Sequence, residues 1–83
     1  MKAFTLEIPG RARIAVATAR EASDVYCHLR DQSGEGASTW PEGRFAFRGL
    51  SLGGNAGVFV QWRVSYNGSI WLGDELAYDP RQH

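Results

Sequence analysis

Cysteine is almost absent from this chain: Cys27 is the only one among 83 residues. A single cysteine cannot close a disulfide within the chain, so a secreted fold held together by disulfides is excluded. No apolar run approaches the roughly 18 residues that a membrane-spanning helix needs. The N-terminus alternates polar and apolar residues and lacks the apolar core of a signal peptide. We therefore expect a cytoplasmic protein without a membrane segment.

An excess of either charge is also missing, since nine Lys and Arg residues balance nine Asp and Glu residues. A duplex-binding domain usually carries a basic excess, and a protein that mimics nucleic acid carries an acidic one. The balance favours a protein partner over nucleic acid. Hydrophobic residues make up 43% of the chain and charged residues 22%, which is typical of a folded domain. A chain of this length forms one small domain with a modest core.

The strongest structural signal lies in residues 58–72, VFVQWRVSYNGSIWL. Apolar and aromatic residues alternate with polar ones there, as in a half-buried strand. Asn67 and Gly68 then favour a two-residue hairpin turn, because both tolerate positive φ. That loop would pair Val64 with Trp71. The large side chains that this register places on or near one face are Trp62, Tyr66 and Trp71.

A second hairpin is predicted at the N-terminus, where residues 2–8 and 11–17 alternate on either side of Pro9 and Gly10. A two-residue loop would put arginines on the apolar face of the hairpin. A three-residue loop pairs Ile8 with Ala12 and keeps that face continuous. We prefer the three-residue loop because a one-residue slip turns every side chain to the other face.

The sequence between these hairpins predicts one helix over about residues 18–32. Thr18 and Glu21 have the spacing of a capping box, in which each side chain bonds the other residue's backbone N–H. Gly34 is a suitable C-terminal stop. The residues that form one apolar stripe are Ala22, Val25, Tyr26 and Leu29.

The remaining segments complete an α+β domain covering residues 1–83. It has an antiparallel sheet of about five strands in the order ββαβββ, with the helix packed on one face. We predict a loop at 33–43, a strand at 44–52, a turn at 53–57 and a flexible tail from about Asp74.

No set of residues predicts catalysis, a metal site or a cofactor. Cys27 and His28 are neighbours on the helix and point about 100° apart, so they do not face each other. Asp24 and His28 share a helix face near Glu21, but a metal site needs three or four convergent ligands. Residues 53–57 lack the Lys-Ser/Thr of a phosphate loop. We predict a protein that is not an enzyme.

Two aromatic segments leave alternatives open. Phe45 and Phe47, between Arg44 and Arg48, have the spacing of the stacking aromatics of an RNA recognition motif. That fold needs two helices, and we find one, so the phenylalanines are expected to pack under the helix while the arginines contact a partner. Trp40, in a loop rich in Gly and Ser, either plugs the edge of the core or anchors a partner.

The motifs SGEGASTWPEG at residues 33–43 and VSYNGSIW at residues 64–71, preceded by the helix at residues 21–31, resemble a group of small, mostly uncharacterised proteins. The group comes from phages and mobile elements of alphaproteobacteria, and the resemblance covers about residues 20–72. The motifs contain turns and packed aromatics and transfer no catalytic residue. Members of the group often have a basic residue where this chain has Ser69.

Proteins of this size and setting include anti-CRISPR proteins, and the chain is similar to those directed at type I systems, including type I-C. The resemblance implies a non-enzymatic phage-derived inhibitor in the host bacterial cytoplasm. It would bind the type I Cascade surveillance complex and block its access to target DNA. The residues expected to meet the partner are Glu35, Trp40, Glu42, Arg44, Arg48 and Arg63.

Two other functions remain open. The first is a nucleic-acid-binding accessory protein that uses Arg11, Arg13, Arg44, Arg48 and Arg63. The second is a small phage structural or regulatory protein that acts as an oligomer. We expect a monomer or a weak homodimer, with Cys27 at least partly exposed and near any contact between copies.

Overall fold

The computed structural model describes residues 2–47 and 61–82. The six strands among them are β1 (Phe4–Ile8), β2 (Ala12–Val16), β3 (Gly43–Phe47), β4 (Gln61–Val64), β5 (Ile70–Leu72) and β6 (Glu75–Tyr78). The helix α1 spans Ala19–Ser33, and a short 3₁₀ helix covers Pro80–Gln82. The predicted turn at 53–57, and the predicted strand residues on either side of it at 48–52 and 58–60, lie outside the described residues.

The strands form one antiparallel sheet in the order β2-β1-β3-β4-β5-β6. The helix α1 crosses one face of the sheet and contacts β1, β2 and β3. The predicted α+β class, with an antiparallel sheet and one helix on one face, is therefore confirmed. The sheet gains a sixth strand, β6, in the tail after Asp74 where we predict a flexible segment.

The N-terminal hairpin has the predicted three-residue loop, with Ile8 opposite Ala12. The backbone N–H of Arg11 donates to the carbonyl oxygen of Ile8 at 2.8 Å and closes the turn. Gly10 takes the positive φ of this loop, 73°, so Arg11 is not forced into that region. Glycine occupies left-handed backbone at no steric cost.

The predicted ends of α1 are confirmed to within a residue. Thr18 is the N-cap, and its Oγ1 accepts a hydrogen bond from the Glu21 backbone N–H at 3.1 Å. The Glu21 carboxylate accepts from the N–H of Ala17 at 3.4 Å instead of that of Thr18. A hydrogen bond from Lys2 lowers the pKa of Glu21. At the other end Gly34, with φ 70°, terminates the helix.

The core lies between α1 and the inner face of the sheet, the face that α1 covers. Its buried apolar residues are Leu6, Ile8, Val16, Ala22, Tyr26, Trp40, Phe45, Val64 and Ile70. Tyr26 is the largest fully buried side chain, and its hydroxyl donates to the carbonyl oxygen of Pro41 at 2.8 Å. Its ring lies over Gly43, where an added Cβ would sit 3.0 Å from Tyr26 Cδ2. Tyr26 thereby joins the helix to the start of β3.

The predicted register of the second hairpin is wrong by one residue. The Ser65 N–H donates to the Ser69 carbonyl oxygen, and the Gly68 N–H donates to the Ser65 carbonyl oxygen, both at 2.8 Å. These bonds enclose a three-residue loop, 66–68, with Gly68 at φ 90°. A turn followed by a glycine in left-handed backbone is a common three-residue hairpin loop.

This register pairs Val64 with Ile70 and Arg63 with Trp71. Ile70 is 1% exposed, so it takes the core position next to Val64 that we predict for Trp71. Successive strand residues point to opposite faces, and Trp71 therefore lies on the outer face, the face of the sheet opposite α1. The predicted cluster of three large side chains on one face is accordingly wrong.

Candidate binding face of the sheet

Cross-strand pairing aligns one residue from each strand across the outer face. The residues of this outer-face row, in order, are Arg13, Glu7, Arg44, Arg63, Trp71 and Leu76. Neighbouring strands lie about 4.8 Å apart, so the row extends for about 24 Å. Because α1 packs on the inner face, this row faces away from the helix.

The charged half of the outer-face row is incompletely neutralised. Arg13 Nη2 lies 3.9 Å from Glu7 Oε2. Arg63 Nη1 donates a hydrogen bond of 2.9 Å to Glu42 Oε2. Arg44 is exposed and makes no ion pair within residues 2–47 and 61–82, although it lies directly opposite Arg63. Like charges at directly opposite positions of an antiparallel pair destabilise a sheet.

The other half of the row is apolar. The Arg63 guanidinium carbon lies 5.7 Å from the centre of the Trp71 ring, a cation–π contact that joins the two halves. Trp71 is partly buried, whereas Leu76 opposite it is 43% exposed. An exposed leucine beside a tryptophan and an arginine has the composition of a protein interface.

Two depressions in the surface meet at Arg63. A cleft of about 280 Å³ is lined by Glu42, Arg44, Gln61 and Arg63, among others. A shallower one of about 430 Å³ is lined by Arg63, Trp71 and the turn that follows β4. Arg63 therefore separates a charged cleft from a more apolar one.

Glu35 and Trp40 lie elsewhere, in a cluster that holds the loop after α1. Arg11 donates to both oxygens of the Glu35 carboxylate, at 2.5 and 3.0 Å, and its guanidinium lies 5.2 Å from the centre of the Trp40 ring. The hydroxyl of Tyr66 donates to the Glu35 carbonyl oxygen at 2.8 Å. Trp40 is 7% exposed. It plugs the edge of the core, which is the first of the two roles that the sequence left open for it.

Of the six residues that we expect to meet a partner, the structure brings together Glu42, Arg44 and Arg63. Glu35 and Trp40 instead belong to the cluster around Arg11, and Arg48 lies outside the described residues. The sequence did not predict Trp71 and Leu76 as partner contacts, although both lie in the outer-face row. The alternation in residues 58–72 would have found Trp71 only with the correct hairpin register.

The burial and contacts of the remaining candidate residues, Phe45, Phe47 and Cys27, indicate no chemical site. Phe45 is 4% exposed and stacks on Phe4 with the ring centres 4.8 Å apart, so it belongs to the core, while Phe47 is 41% exposed. Cys27 is partly exposed, as expected, and the burial of the rest of its side chain raises the pKa of its thiol. In the described part of the chain, no three His, Cys, Asp or Glu residues are grouped to hold a metal ion.

Comparison with protein-family models, with curated proteins and with solved structures found no match. Among the described residues, no helix combines the length and the apolar character needed to cross a membrane.

Proposed function

We propose that this chain is a non-enzymatic binding protein that acts through the outer face of its sheet. The observation that carries the proposal is the position of Arg44, exposed and opposite Arg63 without a carboxylate of its own among the described residues. This arrangement lowers the stability of the protein alone. A partner that supplies negative charge would relieve it.

The partner that we propose is the type I Cascade surveillance complex, in the cytoplasm of a bacterial host. The chain would act as an anti-CRISPR protein, covering part of Cascade and excluding target DNA sterically. The resemblance of residues 33–43 and 64–71 to phage and mobile-element proteins supports this target. The two motifs touch in the fold, because the Tyr66 hydroxyl bonds the Glu35 carbonyl oxygen. This bond holds the loop after α1 to the turn after β4.

A pull-down with purified type I Cascade, read out by target-DNA binding, tests the proposal. We expect stable association and loss of DNA binding for the wild type. Arg44→Glu should weaken the association by about tenfold or more, since truncating or reversing an interface arginine often costs over 1.4 kcal/mol. Arg20→Glu is the matched control, because Arg20 is 74% exposed on α1, away from the outer face. Absence of association, together with unchanged phage plaquing on a CRISPR-active host, would refute the proposed target.

Nucleic-acid binding is the second candidate, and the alignment of Arg13, Arg44 and Arg63 in one row favours it. Three phosphate contacts would give a slope of about −2 in log affinity against log salt for a single strand. The measurement is binding of duplex, single-stranded DNA and RNA at low salt. No binding to any of them would eliminate this candidate.

A further inference from the structure

We infer that the outer-face row receives an acidic and partly apolar polypeptide surface. This inference rests on the proposed function only in using the same face; it identifies the chemistry of the partner and does not require that the partner be Cascade. Two features of the row support it, an incompletely neutralised arginine pair and an apolar end, and the carboxylates among the arginines disfavour the alternative of a nucleic-acid strand.

The arginine pair provides the first contact. Arg44 lacks a carboxylate partner in the described ranges, and the carboxylate on Arg63 comes from Glu42, whose side chain is 54% exposed. An exposed ion pair of this kind contributes little and exchanges readily. A guanidinium binds a carboxylate through two parallel hydrogen bonds. An incoming Asp or Glu side chain would therefore bind Arg44 and offset its repulsion from Arg63.

The apolar end determines what else the partner must carry. Trp71 and Leu76 continue the same row beyond Arg63, and Leu76 is 43% exposed. Tryptophan and arginine dominate the binding energy of protein interfaces, where they are surrounded by contacts that exclude water. A partner with an apolar or aromatic side chain next to its acidic groups would cover this end.

Two arrangements disfavour a nucleic-acid strand on the same row. Glu7 lies between Arg13 and Arg44, and Glu42 lies on Arg63, so the regularly spaced phosphates of a strand along the row would meet two carboxylates. A polypeptide can instead place a carboxylate at Arg44 alone. Single-strand-binding proteins present aromatic rings on which bases stack. Here the Arg63 guanidinium already lies over the ring of Trp71.

The test compares three fluorescent probes by anisotropy at low salt. The probes are a peptide of glutamates with interspersed tyrosines, an all-glutamate peptide of equal length, and single-stranded oligo(dT). We expect the mixed peptide to bind more tightly than the all-glutamate peptide, and oligo(dT) to bind least.

Four variants locate the binding. Arg44→Glu should weaken binding of the mixed peptide by about tenfold, and Arg44→Gln by less, because it removes the charge without reversing it. Trp71→Ala should abolish the preference for the mixed peptide, with its fold checked by circular dichroism. Arg20→Glu should change affinity by less than about twofold.

Any of three results would overturn the inference: tighter binding of oligo(dT), no saturable binding of either peptide, or equal losses in Arg44→Glu and Arg20→Glu. The outcome is separable from that of the Cascade experiment. Peptide binding that depends on Arg44 without Cascade association would reject only the proposed target. Cascade association without peptide binding would reject only this inference.

Discussion

The hydroxyl of Ser23 on α1 donates a buried hydrogen bond of 2.8 Å to the carbonyl oxygen of Gly68 at the tip of the β4–β5 hairpin. A Cβ at position 68 would lie 2.7 Å from Cys27 Sγ and 2.8 Å from Ser23 Oγ. Gly68 also has φ 90°, where residues with side chains are strained. The hairpin can dock on the helix because position 68 has no side chain.

Gly68→Ala is therefore expected to destabilise the protein more than a substitution at an uncrowded glycine with positive φ. Gly10 provides that control: it has φ 73° and nothing within 4 Å of an added Cβ. Gly10→Ala should lower the free energy of unfolding by about 1–2 kcal/mol, the cost of left-handed backbone. Gly68→Ala should lower it by a further ~1–3 kcal/mol, because the methyl group overpacks the contact with α1.

Urea unfolding followed by tryptophan fluorescence measures both changes. Equal losses in the two variants would show that the contact of Gly68 with Ser23 and Cys27 accommodates a methyl group without overpacking. The backbone conformation alone would then account for glycine at position 68.

Trp40→Ala should lower the free energy of unfolding by about 3–5 kcal/mol, as expected for deletion of a buried tryptophan. Trp40→Phe should cost well under half of that. The Trp40 indole nitrogen is buried without a hydrogen-bond partner in the described part of the chain, so phenylalanine would sacrifice no hydrogen bond. Thermal unfolding provides the comparison. A Trp40→Ala protein with unchanged stability and lost Cascade association would instead identify Trp40 as a partner contact.

Alkaline pH should destabilise the protein through Tyr26. Burial raises the pKa of Tyr26 to about 12, from 10.0 for an exposed tyrosine. The folded state therefore keeps a proton that the unfolded state loses above pH 10. Below pH 10 the contribution of Tyr26 to the free energy of unfolding is complete. It should fall by roughly 2–3 kcal/mol as the pH rises to about 12.

The control for this prediction is Tyr26→Phe, measured by urea unfolding across the same pH range. At neutral pH, Tyr26→Phe should have a free energy of unfolding about 1 kcal/mol below that of the wild type, because the hydrogen bond to Pro41 is lost. Above pH 10 the free energy of unfolding of the variant should fall less than that of the wild type. Parallel stability curves for the two proteins would contradict the assignment of the alkaline loss to Tyr26.

Cys27 should react slowly with a disulfide reagent in the folded protein. Burial raises the pKa of its thiol, and the reactive species is the thiolate. We expect at least a severalfold slower reaction with Ellman's reagent at pH 8 than in urea, where the thiol is exposed. A folded-state rate equal to the rate in urea would favour Cys27 as a point of cross-linking between copies.

The elements that the sequence predicts correctly depend on neighbours along the chain. The β1–β2 register follows from Pro9-Gly10 and from the alternation on each side, which only a three-residue loop keeps in phase. Thr18 and Glu21 begin the helix through contacts within four positions, and Gly34 ends it through its own backbone conformation. Local geometry is sufficient in each case.

The register of the β4–β5 hairpin and the burial of Trp40 depend on packing between distant parts of the chain. Asn67-Gly68 is compatible with loops of two or three residues, and docking of Gly68 on α1 accompanies the longer loop, which buries Ile70 and turns Trp71 outward. The burial of Trp40 likewise depends on elements distant in the chain.

The sequence by itself determined the class of fold, the helix and the first hairpin, because hydrophobic periodicity and capping act over a few residues. Only the tertiary structure placed Arg13, Arg44 and Arg63 in one row with Trp71. Each of these residues comes from a different strand. Their alignment depends on four strand registers at once, and a one-residue slip in any of them would separate the row.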